Sequence, residues 1–140
     1  MVDASVAAKW VIPEAESDLA VLLRIDARAS DKTVVGPPHL LIETTNTIRK
    51  RVVQGHDEHS EAFRRLLKFE HYGVRVMEPP ELYRRALELA EEYRRPTVYD
   101  AHYIVLAETL GCDFWTADYR LINALNGRLP FVRALREFQT

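Results

Sequence analysis

Strands alternating with helices along 140 residues predict an α/β fold: a three-layer α/β/α sandwich around a central, mainly parallel sheet of four to five strands. Three observations carry that prediction. Short runs such as KTVVGP, VRVME and CDFWTA recur between longer segments whose apolar residues return every three or four positions. Four of the five glycines follow predicted helix ends, where a left-handed residue is wanted. The segment 98–110, VYDAHYIVLAETL, is apolar almost all round, as a helix packed inside layers must be.

Taken in order, MVDAS reads as a short strand and SVAAKWVIPE as a brief helix stopped near Pro13. Residues 15–29 follow as a helix, and KTVVGP as a strand. PHLLIETTNTIRKRVVQ is a helix with proline at its start and Gly55 beyond its end. DEHSEAFRRLLKFEHY, ending at Gly73, is another. VRVME is a strand and PELYRRALELAEEYRR a helix. The buried helix 98–110 stops at Gly111, before the strand CDFWTA. A helix from Tyr119 to Asn126 ends at Gly127, and a last strand lies near FVRAL. No repeat, low-complexity stretch or linker interrupts the series, so residues 1–140 read as a single domain.

Composition narrows the class. A chain of this length, 47% hydrophobic, buries roughly two-thirds of the surface of its unfolded form. No apolar run approaches the ~20 residues that cross a bilayer, and no basic-then-apolar leader opens the chain, so no membrane association is expected. The lone Cys112 excludes an internal disulfide, suits a cytoplasmic setting and reads as buried. A net charge of −2 gives no overall basic field. The basic clusters Arg49-Lys50-Arg51, Arg64-Arg65, Arg84-Arg85 and Arg94-Arg95 lie on helical segments and read as solvated faces. His56 and His59 have no third ligand nearby and read as surface. His102, Trp10 and Trp115 read as packed side chains.

The acids are more informative. In open parallel sheets, ligands bind outside the carboxyl ends of the strands. Asp3 closes the first strand and Asp118 directly follows CDFWTA. Helix 98–110 must finish next to the start of that strand, so its first turn, with Asp100, points back to the carboxyl edge. The helix from Pro38 starts at the same edge and carries Glu43 one and a half turns in. Asp113, five residues before Asp118, falls roughly 16 Å away at the opposite end and is excluded. On the Pro38 helix, Glu43, Asn46, Thr47 and Lys50 share a polar face, and Leu41, Ile48 and Val52 share the opposite, inward one.

Each acid has an ordinary role available: Asp100 and Asp118 as helix caps, Asp3 in a turn, Glu43 on an exposed face. None explains four acids on one edge. Two carboxylates ~5 Å apart repel by roughly 3 kcal/mol at an effective dielectric of 20. Such a cluster needs protons or a divalent cation, and an all-oxygen set favours Mg2+ or Mn2+ over zinc.

The same residues resemble the PIN-domain nucleases, particularly the VapC toxins of toxin–antitoxin pairs. VDASVAAKW is similar to the family's opening strand and helix, with Asp3 as first acid and Ser5 beside it. PPHLLIETTNTI resembles the second motif, E-x-x-N, giving Glu43 and Asn46. YDAHYIVLAETLG resembles the third, headed by Asp100, and FWTADYRL the fourth, T-x-D-x-x-L, giving Thr116 and Asp118. The resemblance implies a PIN-like fold and a metal-dependent endoribonuclease that cleaves RNA phosphodiester bonds. It implies Asp3, Glu43, Asp100 and Asp118 as catalytic residues holding Mg2+ or Mn2+, with Ser5, Thr116 and Asn46 orienting ligands and water. It also implies a homodimer and a VapB-type antitoxin. Positions 119–123 lack the further acid that some members carry, which leaves one-metal and two-metal catalysis both open.

Other classes fit less well. A receiver domain needs an acid pair near the first strand and a late lysine, yet no lysine follows Lys68. A phosphatase of the haloacid dehalogenase type needs D-x-D where this chain has DAS. A catalytically inactive, Mg2+-binding signalling or scaffold domain is the alternative.

Overall fold

The structure, a computed structural model, describes residues 1–139. Seven α-helices and short parallel strands alternate as the periodicity predicts. The chain runs through α1 (Ala4–Ala7), a 3₁₀ turn (Ala8–Trp10), α2 (Ser17–Ala29), β1 (Val35–Gly36), α3 (His39–Val53) and α4 (His59–Tyr72). It continues through β2 (Arg75–Val76), α5 (Leu82–Glu92), α6 (Tyr99–Leu110), β3 (Phe114–Thr116), α7 (Tyr119–Leu125) and β4 (Val132–Ala134).

β1 pairs in parallel with β2, and β3 with β4. Val2 joins the two halves. It bridges Trp115 in parallel, with the Trp115 N–H donating to the Met1 carbonyl at 2.9 Å. On its other side the Val2 N–H reaches the Val35 carbonyl at 3.5 Å. The segment carrying Asp3 is therefore central, with β1 and β3 as its neighbours.

The predicted strand MVDAS shrinks to Val2 for a local reason. The Asp3 carboxylate accepts the Val6 N–H at 3.1 Å and starts α1 at Ala4, which ends the extended backbone. Pro37 and Pro38 end β1 in the same abrupt way. Gly36 lets α3 fold back closely, since a Cβ there would stand 2.7 Å from Leu40 Cδ1. That approach also selects the buried face of α3, which is Leu40, Thr44 and Ile48. Leu41, expected inward, is exposed.

α5 is shorter than its periodicity suggests, because Arg94 adopts a left-handed conformation (φ 50°) just before Pro96. α6 is buried continuously from Ala101 to Ala107 and packs beside α5. Trp10 fills the core, its indole N–H donating to the Ala20 carbonyl at 3.0 Å. Trp115 and Cys112 are only half-buried. His102 is buried, with Nδ1 2.7 Å from the Val98 carbonyl, and His56 and His59 are exposed.

Candidate active site

Asp3 lies at the carboxyl end of the central segment and is 7% exposed. Both of its carboxylate oxygens are held by neutral donors. Oδ1 accepts the Ser5 hydroxyl at 2.6 Å and the Val6 N–H; Oδ2 accepts the Thr116 hydroxyl at 2.5 Å. Each hydroxyl is in turn anchored by a backbone amide. Ala117 N–H donates to Ser5 Oγ at 2.8 Å, and Asp118 N–H to Thr116 Oγ1 at 2.9 Å. With those amides fixed, the one proton of each hydroxyl is aimed at Asp3. Burial pushes the Asp3 carboxyl up to about 6; the hydroxyl and amide bonds oppose this, and the charge of Asp118 adds to it.

Asp118 caps α7, its Oδ1 accepting from Arg120 N–H at 2.9 Å and Leu121 N–H at 3.2 Å. Asp100, in the first turn of α6, accepts from Arg95 Nη2 at 2.9 Å. Glu43 is half-buried on α3 and accepts the Tyr103 hydroxyl at 2.6 Å. Burial raises its pKa, the Tyr103 bond lowers it, and the charge of Asp100 raises it further. Asn46 is exposed on α3, beside Ile42 and Arg49.

The structure thus brings the acids together in two pairs that feel each other's charge, Asp3 with Asp118 and Glu43 with Asp100. Tyr103 stands between the pairs, bonded to Glu43 and within range of the Asp3 charge. Among the described residues, no three His, Cys, Asp or Glu side chains stand close enough to hold a metal ion together. Asp113 sits apart as expected, at the other end of β3, where its carbonyl accepts from the Met1 ammonium at 2.8 Å. A cavity of about 590 Å³ also opens at that end, between Met1, Val34, Cys112 and Trp115, and includes none of the four rim acids.

Sequence reasoning missed two polar side chains of this rim. Tyr103 is a phenol inside an apolar run, and a buried hydroxyl needs a partner; that was its signal. Arg95 had none, because its partner depends on how the loop between α5 and α6 turns.

An α/β protein with carboxylates at the carboxyl edge of a parallel sheet is thereby defined. The chain matches the PIN domain family over residues 1–125 and belongs to it. Its architecture is similar to the crystal structure of PAE2754 from Pyrobaculum aerophilum, with a TM-score of 0.66 and 24% identity over 96% of this chain and 89% of that one. That likeness concerns the fold. No curated protein matches the chain. PIN domains are generally nucleases that use divalent metals, which places the protein among the hydrolases at family level.

The donors present suit such an ion chemically, since all four are carboxylates, hard oxygen ligands of the kind Mg2+ and Mn2+ take. Burial, with a neighbouring acid adding to it, shifts both Asp3 and Glu43 upward, the environment that a bound cation would relieve. The side chains as arranged are held by the protein's own donors, with Asp100 on Arg95 and Asp118 on the α7 amides.

Proposed function

We propose that the protein is a metal-dependent endoribonuclease of the VapC type, built as one PIN-like domain over residues 1–140. Asp3, Glu43, Asp100 and Asp118 would hold Mg2+ or Mn2+, and when bound the ion supplies water activation and charge neutralisation at the phosphodiester. Ser5 and Thr116 hold Asp3 in one orientation, and Asn46 faces solvent on the helix that carries Glu43. The observation that carries this reading is the Asp3 carboxylate: buried, next to Asp118, and supported by three donors that bring no positive charge. A purely structural buried acid is ordinarily paired with a cation.

Basic side chains on the elements that carry or adjoin the acids support an RNA substrate. Arg49 and Lys50 on α3, Arg94 before α6 and Arg120 on α7 have no carboxylate within ion-pair distance among the described residues. Arg64 and Arg84, in contrast, are engaged by glutamates on their own helices or caps. Exposed apolar residues favour protein partners. Phe63 and Leu67 on α4, with Tyr83 and Leu87 on α5, form two stripes that suit a homodimer and a VapB-type antitoxin. No helix of the described residues is long and apolar enough to cross a membrane, in keeping with a cytoplasmic toxin.

A metal-holding scaffold without catalysis is the second reading, favoured by the guanidinium of Arg95 already seated on Asp100. RNA cleavage by the purified protein in Mg2+ or Mn2+ separates the two. The proposal expects cleavage that EDTA stops and that Asp100→Asn reduces at least ~100-fold with the fold intact. Full activity in EDTA, or in that variant, overturns it.

A further inference from the structure

We infer that Tyr103 is a positioning residue, which ties Glu43 to the same strand that orients Asp3; the inference rests on the proposed metal-holding role of these acids. Glu43 and Asp3 come from distant parts of the chain, on a helix and on the central segment. Both are referred to β3. Phe114 and Thr116 lie two positions apart on that strand, so their side chains leave the same face, and both are fully buried. Thr116 holds Asp3 directly at 2.5 Å. Phe114 holds Glu43 through an intermediary: the Tyr103 ring stacks on it, with centroids 5.6 Å apart and planes 14° apart, and the Tyr103 hydroxyl reaches Glu43 Oε2 at 2.6 Å.

Tyr103 is itself immobilised. It is 3% exposed, sits in the buried run of α6, and meets the His39 ring edge-on at 4.7 Å. Glutamate is a long side chain, and confining it costs rotamer entropy. The phenol confines one oxygen in advance and leaves Oε1 without a hydrogen bond from the described residues. A phenylalanine at position 103 would pack against Phe114 and His39 equally well. The hydroxyl lies outside that packing, at the rim, where it meets Glu43 and the Ala4 backbone N–H next to Asp3.

The test is Mn2+ binding alone, followed by loss of the free-ion electron paramagnetic resonance signal, in the wild type, Tyr103→Phe, Glu43→Gln and the double variant. The expected result is a Kd weakened about tenfold or more in Tyr103→Phe, the cost typical of removing the outer partner of a metal ligand. RNA cleavage by that variant recovers to within a few-fold at saturating Mn2+. In the Glu43→Gln background, Tyr103→Phe weakens Mn2+ binding no further, because the charged oxygen it positions is gone. Unchanged Mn2+ affinity in a folded Tyr103→Phe overturns the inference and leaves the metal site standing. Absence of Mn2+ binding by the wild type at millimolar ion overturns the site and this inference together.

Discussion

Asp57 is half-buried, its side chain covered at the surface by its partners, and Asp3 is buried outright; their surroundings are opposite. Asp57 receives two guanidinium groups, each on both of its oxygens. Arg51 contributes bonds of 2.6 and 3.2 Å, and Arg65 bonds of 3.0 and 3.1 Å. Arg65 also donates to the Val11 carbonyl, so the carboxylate clamps the turn between α3 and α4 onto the segment after the first 3₁₀ turn. The Arg51 bond, reinforced by Arg65, holds the Asp57 carboxyl down at about 2, while burial lifts Asp3 to about 6. One aspartate is complete as it stands. The other is oriented by hydroxyls and an amide, with no cationic side chain on it among the described residues. Burial alone thus says little about an acid's role; the sign of its partners says more.

The sharpest way to break this contrast is to neutralise each acid in turn. Asp3→Asn is expected to lower RNA cleavage at least ~100-fold, equivalent to the several kcal/mol of charge stabilisation a metal site supplies. Without metal, its thermal midpoint should rise, since an ionised group lacking a counter-charge has been removed. Asp57→Asn should do the reverse. Breaking a bidentate pair that is largely but not wholly buried costs about 3 kcal/mol, or roughly 6–10 °C in midpoint for a chain of this size. Cleavage per folded molecule should be unaffected. Calorimetry in EDTA beside a cleavage assay tests both, and loss of stability in Asp3→Asn with loss of activity in Asp57→Asn would invert the assignment.

A somewhat smaller effect follows from supplying the missing charge. Mn2+ at a hundred times its Kd should stabilise the wild type by about 2.7 kcal/mol, raising the midpoint by roughly 5–10 °C. Asp3→Asn should show little of this shift, and Asp57→Asn should show all of it. Equal shifts in all three proteins would mean that the ion binds elsewhere.

The contrast also marks what the amino-acid sequence could reveal. Helix–strand alternation and the glycine positions gave the layers, because periodicity and left-handed stops are local properties. Asp3, Asp100 and Asp118 could be assigned to one edge because each adjoins a strand or helix end whose direction follows from chain connectivity. What could not be read was side-chain choice across space. Leu40, Leu41 and Ile42 are three adjacent apolar residues, and of these Leu40 turns inward, against Gly36. GHDEHS reads as a polar surface turn, and nothing local announces that Asp57 will collect arginines from two helices. The Tyr103–Glu43 and Arg95–Asp100 bonds are of the same kind. They depend on how segments pack, so a one-dimensional pattern does not contain them.

The pH dependence of stability is the mildest test, and the two aspartates predict opposite slopes. For Asp57 the folded pKa lies below the ordinary value of 3.8, so its contribution is present above that value and is lost as pH falls towards 2. For Asp3 the folded pKa lies above 3.8, at about 6, so the folded state binds the extra proton between those limits. Stability from Asp3 is therefore full below about 4 and declines as pH rises through 6, by at most about 1.4 kcal/mol per pH unit for one proton. Glu43, also raised, acts in the same direction. The metal-free midpoint should climb from pH 2 to 4, peak near 4–5, and fall towards 6 and above. Asp3→Asn should flatten the falling limb and leave the rising one, whereas Asp57→Asn should remove much of the rising limb alone. Saturating Mn2+ should reverse the fall, because the ion takes the place of the proton and binds more tightly as the acids ionise. A metal-free wild type whose midpoint stays level from pH 4 to 6 would mean that Asp3 already has a counter-charge.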